Sequence, residues 1–225
     1  MSRDGSNRMT PVRIPFLLLP ALHLLAVGPG STAAAHEPKP PAESGSRPVV
    51  MIGGSFERPP VMRYLRESRS TILYPALLSG NGRVLPLPTD ATGGKPMKPA
   101  AYEQLVSEAR ERAALLLATL DPEMKRDGHG VIQAALLKSP DPATATCILA
   151  PGFLDRFRAV FGPELIVAIP SRTTLYVFPK LANTLPEAAE TIRNEYALSP
   201  CPVTTEFFEV SASGIRAAGD FRGDR

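Results

Sequence analysis

Apolar and charged residues alternate with a helical period along three stretches of the chain. Between Pro99 and Leu120, apolar residues recur every three or four positions, and charged residues occupy the positions between them, which predicts an amphipathic helix. The same spacing predicts a second helix over 153–161 and a third after the capping box formed by Thr184 and Glu187. We also expect a helix to begin at Pro59 or Pro60 and to include Leu65, because apolar side chains would then share one face.

Short apolar runs predict β-strands. They cover residues 49–52, 71–78, 83–87, 165–169, 174–178 and 203–210. The dipeptide Asn81-Gly82 predicts a hairpin with a type I′ turn. A second hairpin is expected at the four-residue loop 170–173. The runs 131–137 and 145–149 fit either a strand or a short helix, and for 145–149 a strand is favoured.

This mixture of strands, hairpins and helices is typical of an α+β domain with an antiparallel or mixed sheet and three to four helices. We expect one globular domain over residues 49–215. The preceding segment 36–48 is rich in Pro, Ser, Gly and Glu, which predicts a disordered linker. The segment 216–225 is expected to be a flexible tail.

Residues 1–35 have the pattern of a secretory signal peptide. Three arginines precede an apolar run over 14–27, and small residues at 33–35 favour cleavage before His36. A membrane-spanning helix needs about 20 apolar residues, so no integral membrane segment is expected after cleavage. We therefore expect a secreted or periplasmic protein; the alternative is an uncleaved N-terminal anchor.

The charge balance argues against nucleic acid as a partner. The formal net charge of the whole chain is +3, and cleavage would remove three arginines and one aspartate and leave a nearly neutral body without a basic stripe. Tryptophan is absent, which excludes a carbohydrate-binding surface of stacked Trp rings. The partner is expected to be a protein or a small ligand.

Two cysteines, Cys147 and Cys201, lie in the predicted globular domain. Export would bring both into an oxidising environment, which favours a disulfide between them. Closing so long a loop would stabilise the fold by roughly 4 kcal/mol in the chain-entropy model. The alternative is two buried, unpaired thiols, and the spacing fits neither a zinc motif nor a redox C-x-x-C motif.

Candidate catalytic chemistry is sparse. His129 is the single histidine of the predicted domain, between two glycines and next to Asp127, so these two side chains are candidate metal ligands. A metal site needs three or four ligands, and the alternative is a turn with a solvated histidine. The sequence has neither a G-x-S-x-G nucleophile motif nor a phosphate-binding glycine loop, so no catalytic residue and no cofactor are assigned.

The predicted turn at 170–173 carries a candidate ligand contact. Arg172 lies there beside Ser171, and a guanidinium group can grip a carboxylate or phosphate through two parallel hydrogen bonds. The alternative is an exposed turn with a solvated arginine.

The span from Cys147 to Lys180 combines a short helix, an apolar strand, the turn Ile169-Pro170-Ser171-Arg172 and a strand that ends in aromatic and apolar residues. In this it resembles the YtpQ-like family of uncharacterised bacterial proteins, with Thr173 where that family usually has an acid. The resemblance implies an α+β body and a bacterial origin. It implies no activity and no catalytic residue.

Three functional hypotheses follow. The first is a binding or accessory protein of the cell envelope that uses the turn at Ser171 and Arg172. The alternative is an envelope hydrolase that uses Asp127 and His129. The third is a structural or assembly factor tethered by the Pro-rich segment 36–48.

Overall fold

Two antiparallel sheets form the framework of the protein. The structure is a computed structural model, and it describes residues 46–87, 97–182 and 185–221. The predicted signal peptide, its cleavage site, nearly all of the predicted linker and the residues 222–225 lie outside the described residues. The observed architecture confirms the predicted α+β class.

The small sheet contains the first four strands. β1 (Arg47–Gly54) pairs along its whole length with β3 (Thr71–Leu78). The other edge of β3 pairs with β2 (Arg63–Tyr64) at its beginning and with β4 (Val84–Pro86) at its end. The strand order is therefore β1-β3-β2, and β4 continues along the same edge of β3 as β2.

The large sheet contains the other six strands, in the order β10-β9-β7-β8-β6-β5. All its pairs are antiparallel. The strands are β5 (Glu123–Arg126), β6 (Ile132–Lys138), β7 (Leu165–Ser171), β8 (Thr174–Pro179), β9 (Glu206–Ser211) and β10 (Gly214–Asp220). β7 and β8 are buried on both faces, which explains their nearly continuous apolar sequence.

The helices cover both faces of the large sheet. On one face, α1 (Pro99–Thr119), the 3₁₀ helix Thr144–Leu149 and α2 (Phe153–Phe161) form the main core, which also includes the inner side of β1. On the other face, α3 (Leu185–Leu198) buries Ile192 against the sheet. Among the described residues, no helix is both long enough and apolar enough to cross a membrane.

Both predicted hairpins are present, but each turn differs from the expectation. In the first, Gly82 has a positive φ of 81° and Asn81 does not: Gly82 donates its N–H to the Ser79 carbonyl and Ser79 donates its N–H to the Arg83 carbonyl, so the loop has three residues instead of the two of a type I′ hairpin. In the second, β7 reaches Ser171 and pairs it with Thr174, so the turn has two residues instead of four.

Two predicted elements are wrong. The run 145–149 lies within the 3₁₀ helix, where hydrogen bonds such as Ala145 N–H to Arg172 C=O satisfy its backbone. The helix expected from Pro59 or Pro60 is instead an irregular segment, because Leu65 donates its N–H to Thr71 on β3. In addition, β10 continues to Asp220, five residues into the expected tail.

Candidate functional site

A loop from Ser55 to Ser70, hereafter the 55–70 loop, closes on itself between β1 and β3. The N–H of Ser55 donates to the carbonyl of Ser70 at 2.6 Å, so the two ends of this sixteen-residue segment meet. Surface loops of this length with joined ends are compact Ω-loops, and they frequently carry function. The loop begins with the 3₁₀ turn Ser55–Glu57 and contains β2.

A largely buried polar cluster fixes the start of the loop. Nη2 of Arg172, in the β7–β8 turn, donates to Oε2 of Glu57 at 2.5 Å and to the hydroxyl of Tyr74 at 2.5 Å. The Tyr74 hydroxyl in turn donates to Oε2 of Glu57 at 2.8 Å. The side chains of Arg172 and Glu57 are only 13% and 16% exposed, so water screens this ion pair weakly.

Two glycines make room for this cluster. A Cβ on Gly53 would lie 2.3 Å from Oε1 of Glu57 and 2.7 Å from Cε1 of Tyr74. A Cβ on Gly54 would lie 2.0 Å from the ring of Phe56. The dipeptide at the end of β1 is therefore needed for close approach of side chains to the backbone.

A second polar cluster fixes the end of the loop to β9 of the large sheet. Oε2 of Glu206 accepts hydrogen bonds from the hydroxyls of Ser68 and Thr71, both at 2.6 Å. Its Oε1 accepts the N–H groups of Arg69 and Ser70 at 2.7 and 3.2 Å. Burial alone would raise the pKa of Glu206, but these hydrogen bonds outweigh it and hold the pKa below its usual value.

The middle of the loop is fixed by packing and by backbone contacts. Leu65 is buried in the main core, and the Arg63 guanidinium lies over the Tyr102 ring at 4.9 Å. The carbonyl of Arg66 accepts the N–H of Ala217 on β10 at 2.8 Å. The loop therefore contacts both sheets and α1.

Two residues of the loop hold a costly backbone conformation. Arg58 and Glu67 have φ values of 46° and 63°, and they are the non-glycine residues with positive φ among the described residues. Such a conformation costs of order 1–3 kcal/mol and persists only where surrounding contacts determine it. Both strained residues of the described chain thus lie in this one loop.

Despite these contacts, the loop exposes large apolar side chains. Phe56 is 55% exposed, Met62 42% and Tyr64 46%. The described residues expose nine large apolar side chains, and three of the nine lie in this loop. The loop is about a tenth of the described residues, so exposed apolar side chains are concentrated in it. Arg58 and Arg69, in the same loop, are also exposed.

The Tyr74 hydroxyl remains a hydrogen-bond donor rather than a base. Burial raises its pKa far above the ordinary value, and the nearby Arg172 charge only partly offsets this. Its proton therefore stays on the oxygen at neutral pH. The cluster of Glu57, Tyr74 and Arg172 positions the loop; it presents no proton acceptor that is free to act on a substrate.

The predicted ligand contact at Ser171 and Arg172 is largely buried, with Arg172 against the 55–70 loop. Arg172 points to Glu57 and Tyr74 rather than to open solvent, and the Ser171 hydroxyl lies 3.3 Å from the Thr173 hydroxyl. Nε of Arg172 is buried and has no hydrogen-bond partner in the described part of the chain. A ligand at Ser171 and Arg172 remains a prediction.

The predicted metal ligands form a turn. Oδ1 of Asp127 accepts hydrogen bonds from the N–H groups of His129 and Val131, both at 2.9 Å. Its Oδ2 accepts a hydrogen bond from Nε2 of Gln133 at 2.7 Å. These bonds, chiefly that from Val131, lower the pKa of Asp127. Within residues 46–87, 97–182 and 185–221, no group of three or more His, Cys, Asp or Glu side chains is placed to hold a metal ion.

The two cysteines are free thiols in this structure. Cys147 is buried, and burial raises its pKa to about 12, so it is a poor nucleophile. Cys201 is partly exposed, and its carbonyl accepts the N–H of Arg172 at 3.0 Å. The predicted disulfide is not formed here.

No family model, curated protein or solved structure matches this chain. The resemblance to the YtpQ-like family therefore stays a prediction.

Sequence reasoning missed Glu57, Tyr74 and Glu206 as functional residues. Glu57 and Glu206 each bond to a partner more than a hundred positions away, and Arg172 lies 98 positions after Tyr74. One local signal was present, because Gly53-Gly54 at the end of an apolar run indicates a close approach to the backbone.

Proposed function

We propose that this chain is an exported binding or accessory protein of the bacterial cell envelope, and that the 55–70 loop is its recognition surface for a partner protein. The N-terminal pattern of arginines, apolar run and small residues supports export. The binding role rests on the loop itself.

The observation that carries the proposal is the contrast between the inside and the outside of the loop. Inside, two polar clusters and Leu65 hold the backbone, including two strained residues. Outside, Phe56, Met62 and Tyr64 remain exposed. Fully burying a large apolar side chain is favourable by about 1.5–3 kcal/mol, and since these three are about half exposed, a partner that covers them would gain about half of that for each.

The residue types support recognition of a protein. Aromatic residues, methionine and arginine are enriched at the centres of protein–protein interfaces, and Tyr and Arg are frequent among the residues that dominate binding energy. A loop already held in one conformation also loses little conformational entropy when it binds.

The test is site-specific photo-crosslinking in a bacterial host that exports the full chain. A photoreactive amino acid replaces Tyr64 or Met62, and the matched control replaces Val160 on α2, which is also 46% exposed. We expect discrete protein adducts from positions 62 and 64 and none from position 160. An identical adduct pattern at all three positions, or no adduct at any, would refute the loop as a recognition surface.

Export is tested in the same cells. N-terminal sequencing of the periplasmic or secreted protein is expected to begin at His36. A protein recovered from the cytosol with Met1 as its N-terminus would contradict the export part of the proposal and leave the loop part standing.

A further inference from the structure

We infer that the partner segment recognised by the 55–70 loop is acidic and carries a large apolar side chain next to its carboxylates. This rests on the proposed function, because it names the chemistry of the partner that binds at that same loop. Three observations lead to it: the charge balance of the loop, the arrangement of its apolar residues and the rigidity of its backbone.

Two of the four arginines in the loop, Arg58 and Arg69, have guanidinium groups without an acidic partner in the described structure, whereas Arg63 pairs with Glu103 at 2.6 Å. The loop contains four arginines and two glutamates. Both glutamates are already paired, Glu57 with Arg172 and Glu67 with Arg66 and Arg216. Among the described residues, the guanidinium groups of Arg58 and Arg69 make no hydrogen bond or ion pair.

The free arginines alternate with the exposed apolar residues along the loop. Phe56 precedes Arg58 by two positions, and Met62 and Tyr64 lie between Arg58 and Arg69. A complementary segment would place carboxylates against the guanidinium groups and a large apolar side chain between the exposed apolar groups. Arginine suits this task because its planar guanidinium group binds a carboxylate through two parallel hydrogen bonds.

The fixed backbone of the loop favours a protein segment over a lipid surface. An anionic lipid surface also attracts arginines and apolar side chains, at a gain of about fivefold in affinity per cation. However, lipid headgroups are fluid and adapt to any arrangement of cations. The two polar clusters hold the loop in one shape, including its two strained residues, and such a shape is useful for a partner that has a shape of its own.

The experiment selects peptides from a displayed library of random 12-residue sequences, with the full chain as the target. We expect the enriched peptides to contain two or more Asp or Glu residues beside a Phe, Tyr, Leu or Met. Their Kd for the double variant R58A/R69A is expected to rise about tenfold or more, and the loss should shrink at high salt because ion pairs at the edge of an interface are screened. Y64A is expected to weaken binding about thirtyfold, as removal of a central aromatic residue does.

Two controls match these variants. R110A removes an exposed arginine on α1, and V160A removes a half-exposed apolar residue on α2; both are expected to leave Kd unchanged. A charge-reversed variant, R58E/R69E, is expected to lose the acidic peptides and to bind the same peptides with Lys in place of Asp and Glu.

Each other result overturns the inference in an identifiable way. Neutral or basic peptides that bind at the loop would refute the acidic partner, whereas the crosslinks from Tyr64 would still support the proposed function. Acidic peptides that bind R58A/R69A as well as the wild type would show that they bind elsewhere. Absence of enriched peptides, together with sedimentation of the protein on vesicles containing about 30% phosphatidylglycerol, would assign the loop to lipid instead.

Discussion

Replacing Glu206 tests whether the end of the 55–70 loop is held as the structure indicates. In E206A, the two hydroxyls and two N–H groups that donate to this carboxylate lose their acceptor. The hydroxyls of Ser68 and Thr71 can rotate toward other acceptors, but the N–H groups of Arg69 and Ser70 cannot. A buried donor left without a partner costs about 1–3 kcal/mol, and these two are partly buried, so we expect a loss of about 2–3 kcal/mol in the free energy of unfolding.

The isosteric variant E206Q separates charge from shape. Its amide oxygen can still accept the two N–H groups, so only the charge-assisted part is lost, at about 1–2 kcal/mol. The control is E190A on α3, an exposed carboxylate expected to change the free energy of unfolding by less than about 0.5 kcal/mol. Urea denaturation followed by far-ultraviolet circular dichroism measures all three.

The pH dependence gives a second check on Glu206. Its pKa is lower in the folded protein than the ordinary value of 4.5, so the unfolded state takes up a proton first as the pH falls. The stability contributed by the ionised carboxylate is therefore complete at neutral pH and is lost as the pH falls below about 4.5 and through the native pKa. The difference in unfolding free energy between wild type and E206Q should shrink over that range.

Two results would refute this reasoning. The first is a free energy of unfolding for E206A that lies within about 1 kcal/mol of the value for E190A, which would mean that the Glu206 carboxylate does not hold the loop. The second is a difference between wild type and E206Q that is constant or grows as the pH falls.

Two further predictions concern the frame around the loop. G53A should destabilise the fold by about 1–3 kcal/mol in urea denaturation, because the added Cβ meets the fully buried Tyr74 ring, whereas G80A, with nothing within 4 Å of its Cβ, should be nearly neutral. A G53A protein as stable as G80A would show that the ring can move aside. Arg156 donates to two carbonyls at the C-terminal end of α1. R156M should therefore lower the free energy of unfolding by about 1–2 kcal/mol and should speed amide hydrogen exchange in the last turn of α1 more than elsewhere. An equal increase in exchange rate along the whole chain would contradict this role of Arg156.

The parts of the fold that depend on local patterns were predictable from the sequence. The period of apolar residues in α1 and α2 predicts both helices, and Gly82 predicts the hairpin between β3 and β4. The same kind of reasoning failed at 145–149, where a hydrogen bond from Ala145 to the backbone of Arg172 favours a 3₁₀ helix over a strand. Local patterns carry no information about such a distant partner.

The site depends almost entirely on contacts of that distant kind. Val61, Tyr64 and Leu65 have helical spacing, which predicts a helix where the loop lies. In the structure Tyr64 instead pairs with Ile72 on β3, and Leu65 donates its N–H to Thr71. Arg172 was recognised as important from its turn and its residue type. Its partner Glu57, 115 positions earlier, has no feature in the sequence that distinguishes it from a solvated glutamate.

The separation of these contacts along the chain has a consequence for the order of folding. The bonds from Glu57 to Arg172 and from Ser68 to Glu206 span 115 and 138 positions, so they form only after the intervening chain has been brought together. Contacts of such high sequence separation form slowly, since the entropy of closing a long segment is lost before they contribute. If the loop is the recognition surface we propose, a nascent or half-folded molecule lacks it, and a partner would engage only chains whose first and last strands are already in place.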